Sequence, residues 1–251
     1  LYNEPDAANR WAAEQGYGSY WGNYGADYAV MLCAANHAVT NANPEANVIF
    51  GGVSYDNWEQ GSFNQAFLGD VLAAGVGGCF DVMNFHYYPA FESRWYAYGN
   101  GLEGKASHIR DQLAAYGVFN KPMVVTEAGW HSDYYKEDFP GSDQIQSQYV
   151  VKLFTQAAAA RLDSLMWWTW IDPGDPYGDN GLLTQELEPK PSFGVYTYAA
   201  RTLGQATFNR IYPTAAGIEG YQFTSASQSQ LYVFWAQDGQ THSQSVPGSQ
   251  V

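Results

Sequence analysis

The chain has 251 residues, 46% of them hydrophobic, and 25 acidic against 11 basic groups give it a formal net charge of −14. That apolar content can fill a sizeable core and excludes global disorder. The acidic balance argues against nucleic acid and anionic membrane as partners, both of which are held by Lys/Arg patches, and no run of about 18 apolar residues is present to span a bilayer.

Leu1-Tyr2-Asn3 reads as the end of a strand, with Glu4-Pro5 directly after it. Residues 19–41 carry Tyr28, Met31, Leu32 and Ala35 at helical spacing. Val48-Ile49-Phe50 is a short buried strand running into Gly51-Gly52, and residues 63–75 form a helix whose face is Phe67, Leu68, Val71 and Leu72. Phe80 to Tyr87 is the next strand and residues 102–117 the next helix. Pro122 opens a strand through Thr126, a position where its missing N–H does least harm.

Ser142 is placed to cap a helix running to about Arg161. Leu165 to Trp170 is a strand bounded by Asp172-Pro173-Gly174, and a last helix follows Pro191 through Leu203. Strands alternating with helices imply parallel βα units. From about residue 205 the pattern changes to short strands at Tyr221–Phe223 and Leu231–Trp235 between polar turns, which predicts a small antiparallel extension. The expected organisation is a barrel-type α/β unit over 1–204 and a β extension over 205–251.

Two cysteines, Cys33 and Cys79, lie far apart without a CxxC or His pairing, so zinc is not expected. They read as buried free thiols, with a disulfide as the alternative. There is no signal peptide and no initiator Met, as in a processed or trimmed form; a secreted or cell-surface setting is favoured over the cytoplasm. The 9 Trp and 20 Tyr read mostly as packing, with a minority in loops able to serve as ring platforms for sugar faces.

In a βα barrel the loops after the strands build the site. The strand ends here are Asn3-Glu4, Ser54-Tyr55, His86-Tyr87-Tyr88-Pro89, Glu127 and Trp168-Thr169-Trp170, polar or aromatic after apolar strand bodies. Singly, each has a plain structural reading: a solvated or capping Glu, a core imidazole at His86, a barrel plug at Trp170. Together, at one end of the strands, they point to a site. Asp172, Asp175 and Asp179 make a locally acidic loop that fits no calcium pattern and reads as a solvated loop beside the cleft.

These segments resemble the C-terminal part of a retaining glycoside hydrolase of the (β/α)8 clan A, nearest to the family 39 and family 5 group. The matching residues are Asn3-Glu4-Pro5, Phe50-Gly51-Gly52-Val53, Phe80 to Tyr88, Thr126-Glu127-Ala128-Gly129-Trp130 and Trp167-Trp168-Thr169-Trp170, in the order of barrel strands four to eight. Asn180-Gly181-Leu182-Leu183 and Lys190-Pro191-Ser192 add to the likeness, which runs over about residues 1–204.

The resemblance implies an incomplete TIM-type barrel of about five parallel strands, lacking the first three βα units. Glu4 matches the general acid/base and Glu127 the nucleophile. Asn3, His86, Tyr88, Trp130, Trp168 and Trp170 fall on substrate-binding positions, with Trp168 or Trp170 flooring the subsite of the reacting sugar. The charge of Glu127 is expected to raise the pKa of Glu4. No cofactor or metal is implied. The expected ligand is an oligo- or polysaccharide, and a homo-oligomer is expected to cover the open side of the barrel. The alternative is a non-catalytic carbohydrate-binding or self-assembling barrel fragment; a hydrolase of another bond type lacks its motifs, since neither Gly-x-Ser-x-Gly nor His-Glu-x-x-His occurs.

Overall fold

A computed structural model describes residues 2–8, 21–55, 63–133, 139–174 and 178–248. Leu1 and Asp175 lie outside these, as do residues 19 and 20 of the first expected helix. The apolar runs form a parallel sheet of β1 (Met83–Tyr87), β2 (Met123–Ala128) and β3 (Ser164–Trp167), in that spatial order. All five residues of β1 are buried, as expected of a parallel strand covered on both faces.

Two earlier segments extend the sheet beyond β1 through isolated parallel bridges. Ile49 pairs with Val82 and Val53 with Phe85, and Asn3 in turn pairs with Gly52. The chain order expected for five segments is therefore present, three of them as regular strands and two through isolated bridges. β3 stops at Trp167, short of the expected Trp170, and leaves Ser164 and Met166 exposed.

The helices α1 (Gly25–Ala42), α2 (Phe67–Ala73), α3 (Gly101–Ala115), α4 (Asp143–Ala159) and α5 (Pro191–Leu203) alternate with the strand segments. Helix α2 covers only Phe67–Ala73 of the expected 63–75 while keeping its whole apolar face, and beyond it Gly75 turns the chain at φ 79°, a conformation glycine adopts without steric cost. The Ser142 hydroxyl accepts a hydrogen bond from the Ile145 N–H at 3.2 Å, an N-cap worth about 1 kcal/mol. Pro191 opens α5 at its first turn, where its fixed φ suits a helix and no N–H is needed. Among the described residues no helix is long and apolar enough to cross a membrane.

The main core joins α1 to α4 with the sheet through Tyr28, Phe50, Phe67, Phe85, Ile109 and Val125. Cys33 of α1 and Cys79, just before β1, form a disulfide within it. This corrects the expectation of free thiols. The two Cα atoms are 4.8 Å apart, inside the range that a disulfide can bridge. Sequence spacing could not reveal that proximity, which arises only when α1 packs back over the strand segments.

A second sheet of β4 (Thr207–Ile211), β5 (Ile218–Thr224) and β6 (Gln230–Ala236) is antiparallel throughout. Tyr221 and Phe223 of β5 pack on Val150 of α4 and on Ala199 and Leu203 of α5. A polar contact reinforces this seam. The Tyr221 hydroxyl meets Glu103 of α3 and Glu219 of β5. Gln156 and Gln237 donate to the two oxygens of Glu219 at 3.1 and 3.0 Å.

Candidate active site

Parallel pairing brings His86 and Glu127 side by side. Met83 pairs with Met123, and a bulge between Phe85 and His86 resets the register so that His86 pairs with Glu127. Bulges re-aim side chains in this way. His86 Nδ1 lies 3.2 Å from Glu4 Oε1 and 3.5 Å from Glu127 Oε2. One oxygen each of Glu4 and Glu127, with the imidazole nitrogen, fall within 4.8 Å of one another. The imidazole is almost fully buried, while each carboxylate side chain keeps a little over a fifth of its surface, 23% and 22%. The acids are thus open to a ligand and the base is held in the wall.

The Tyr88 hydroxyl donates to Glu127 Oε2 at 3.0 Å. Burial raises the pKa of Glu127, and the charge of Glu4 adds to the rise; His86 and the Tyr88 hydrogen bond oppose it.

Two residues that carried no assigned role in the sequence fix this geometry. A Cβ on Gly52 would sit 2.2 Å from His86 Nε2, so only glycine allows the ring against that strand end. Asp6 is fully buried and accepts hydrogen bonds from the N–H groups of Ser54 and Tyr55 at 3.0 and 2.8 Å. Its carboxylate ties the Glu4 loop to the next strand end, and desolvation raises its pKa to about 7. The only signal in the sequence was position: Asp6 follows Glu4 by two, and Gly52 is the second glycine of a strand-end pair.

The remaining predicted residues divide. Asn3 bridges Gly52 through its backbone and stays exposed. Trp168 is half-buried, its N–H donates to the Ala128 carbonyl at 2.8 Å, and its peptide to Thr169 is cis. That keeps its backbone beside the strand end of Glu127. Trp170 instead meets Phe193 and Tyr196 of α5 edge-on, with 51% of its surface exposed. Trp130 is buried, stacks on Tyr149 at 4.3 Å and donates its indole N–H to the Pro140 carbonyl at 3.1 Å. The ring contacts of both indoles are therefore with helices and loops around the sheet.

Ser54 and Tyr55 take structural roles. The Ser54 carbonyl accepts from buried Lys105, and Tyr55 stacks on Trp95 and His108. The acidic loop also differs from expectation. Asp172 is buried rather than solvated, paired with Lys190 Nζ at 2.6 Å and bonded to the Gly181 N–H at 2.7 Å. Burying an unpaired charge is costly, and the Lys190 ammonium and the Gly181 N–H offset that cost for Asp172.

No protein-family model and no curated protein matches the chain. Solved structures do. A family 39 glycoside hydrolase from Bacteroides cellulosilyticus WH2 aligns with a TM-score of 0.63 at 20% identity, over 83% of this chain and 44% of that one. The catalytic domain of the GH30 xylanase C from Talaromyces cellulolyticus aligns at 0.54 and 13% identity, over 92% and 47%. A GH128 endo-β-1,3-glucanase from Pseudomonas viridiflava aligns at 0.51 and 20% identity, over 77% and 66%. The chain thus spans roughly half to two-thirds of the length of these structures. It has an α/β fold resembling the TIM barrels of clan A glycoside hydrolases.

Proposed function

We propose that this chain carries the catalytic pair of a retaining β-glycoside hydrolase, with Glu127 as nucleophile and Glu4 as general acid/base. The observation that carries the reading is the convergence of the two carboxylates within 4.8 Å, oxygen to oxygen, on either side of one imidazole. Retaining enzymes hold their carboxyl groups about 5–5.5 Å apart, so that one attacks the anomeric carbon directly; inverting enzymes need about 6.5–9.5 Å to seat a water between them.

In this reading Glu127 attacks the anomeric carbon while Glu4 gives its proton to the leaving oxygen. A covalent glycosyl–enzyme forms. Glu4, now ionised, takes a proton from water, which attacks the same carbon and releases the sugar with its starting configuration. The Tyr88 hydroxyl orients Glu127 and favours its ionised form. His86, with its ring fixed against Gly52, holds the Glu4 carboxyl toward the leaving group. Trp168, whose backbone N–H bonds the Ala128 carbonyl next to Glu127, is assigned to floor the reacting sugar.

The test is a panel of aryl β-glycosides with the product anomer followed by NMR. Glu127→Ala should abolish turnover while circular dichroism stays unchanged, and the wild type should release the β-anomer first. Unchanged turnover in that variant, or an α-anomer as first product, removes the assignment.

A further inference from the structure

The three atoms that converge at the strand ends form a metal-ligand set as well as an acid–base set. Zn2+ binds imidazole nitrogen and carboxylate oxygen at about 2.0–2.2 Å in a tetrahedron, whose edges are then about 3.4 Å. The gaps from His86 Nδ1 to Glu4 Oε1 and to Glu127 Oε2 are 3.2 and 3.5 Å, each close to one such edge. The third gap, at most 4.8 Å, closes by rotation of two carboxylates that both reach solvent. We propose that Glu4, His86 and Glu127 form a Zn2+ site whose occupancy reversibly blocks the cleft.

Charge and ring orientation favour it. Two carboxylates and a neutral imidazole present two negative charges to a divalent ion. The imidazole selects Zn2+ over Ca2+ or Mg2+, which prefer all-oxygen shells. Nδ1 is the ligating nitrogen, because Nε2 faces the backbone of Gly52. The Tyr88 hydroxyl on Glu127 Oε2 supplies the outer hydrogen bond that orients a ligating carboxylate. The ion needs all three atoms unprotonated, so binding competes with protons and weakens as pH falls. Metal binding stands on this geometry alone; that it blocks turnover rests on the glycosidase reading above.

The experiment is calorimetric titration of Zn2+ into the chain at about pH 7.5, in two buffers of different ionisation enthalpy. One saturable site with proton release is expected, and Ca2+ should give no saturable heat. Losing only a hydrogen-bond partner of a ligand costs a metal site about 10–100-fold, so losing two ligands in the Glu4→Gln/Glu127→Gln double variant should weaken binding at least roughly a hundredfold. His242→Gln, at an exposed His–Asp pair beyond the end of β6, should leave affinity unchanged. Co2+ added to the wild type gives a reading free of any variant's folding: a saturable visible band of four-coordinate intensity is expected. Equal Zn2+ affinity in a folded double variant, or no saturable Co2+ band, overturns the site. Zinc binding at these residues in a chain without turnover keeps the site and removes the glycosidase reading instead.

Discussion

The seam between α3 and the antiparallel sheet should weaken as pH rises, and Glu103→Gln should remove that dependence. The Tyr221 hydroxyl contacts both Glu103 and Glu219 but has one proton to donate. Both contacts can be hydrogen bonds only if a carboxyl holds a second proton. Burial is the main cause that raises the Glu103 pKa to about 7 from the ordinary 4.5; the charge of Glu219 adds to the rise and the Tyr221 hydrogen bond opposes it.

A carboxyl whose pKa is raised on folding keeps its proton in the native chain while the unfolded chain has already released it. Its contribution is present below the unfolded value and is lost as pH climbs through about 7. At about 1.4 kcal/mol per pKa unit the loss across that window is about 3 kcal/mol. Gln cannot ionise and keeps a carbonyl to accept from Tyr221. The variant should therefore match the wild type near about pH 5 and exceed its stability by up to about 3 kcal/mol near about pH 8. Urea unfolding across this range measures the difference. Asp6, also raised to about 7, adds a slope common to both proteins, so the wild-type-minus-variant difference isolates Glu103. A difference independent of pH, or a variant less stable than the wild type near about pH 8, would refute the shared-proton argument.

Gly52→Ala should push the His86 ring off its seat, since the added Cβ would lie 2.2 Å from Nε2; a stability cost of about 1–3 kcal/mol is expected from overpacking, read by thermal melting, with turnover lost more than tenfold, on the order of a 1 Å misplacement. Tyr88→Phe removes a hydrogen bond that lowers the Glu127 pKa, so the acid limb of kcat/KM against pH should move upward, and an unmoved limb would separate Tyr88 from Glu127. Replacing Cys33 and Cys79 by Ser should cost about 4 kcal/mol by the loop-closure relation for a separation of 46 residues; urea midpoints with and without reductant check it, and a wild type indifferent to reductant under unfolding conditions would oppose the link.

The alternation of apolar runs and helical patterns sufficed to order the parallel segments, their helices and the antiparallel tail. Period-2 and period-3.6 patterns of apolar residues are local properties, so a sequence carries them openly. Glu4 and Glu127 were legible for the same reason, because in parallel βα units the residue after each strand falls at one end of the sheet.

What packing alone decided is non-local. The bulge that sets His86 against Glu127 depends on the register between two strands. The space that only glycine leaves at position 52 depends on a ring from another strand. The pairing of Cys33 with Cys79 and of Asp172 with Lys190 depends on which surfaces are closed off from water. Trp170 turned toward α5 although its strand-end position is shared with Trp168, because the helix offered aromatic edges there. Desolvation, too, belongs to the assembled chain: the raised pKa values of Asp6, Glu103 and Glu127 come from neighbours that exclude solvent, and no residue's own identity records how much water it will lose.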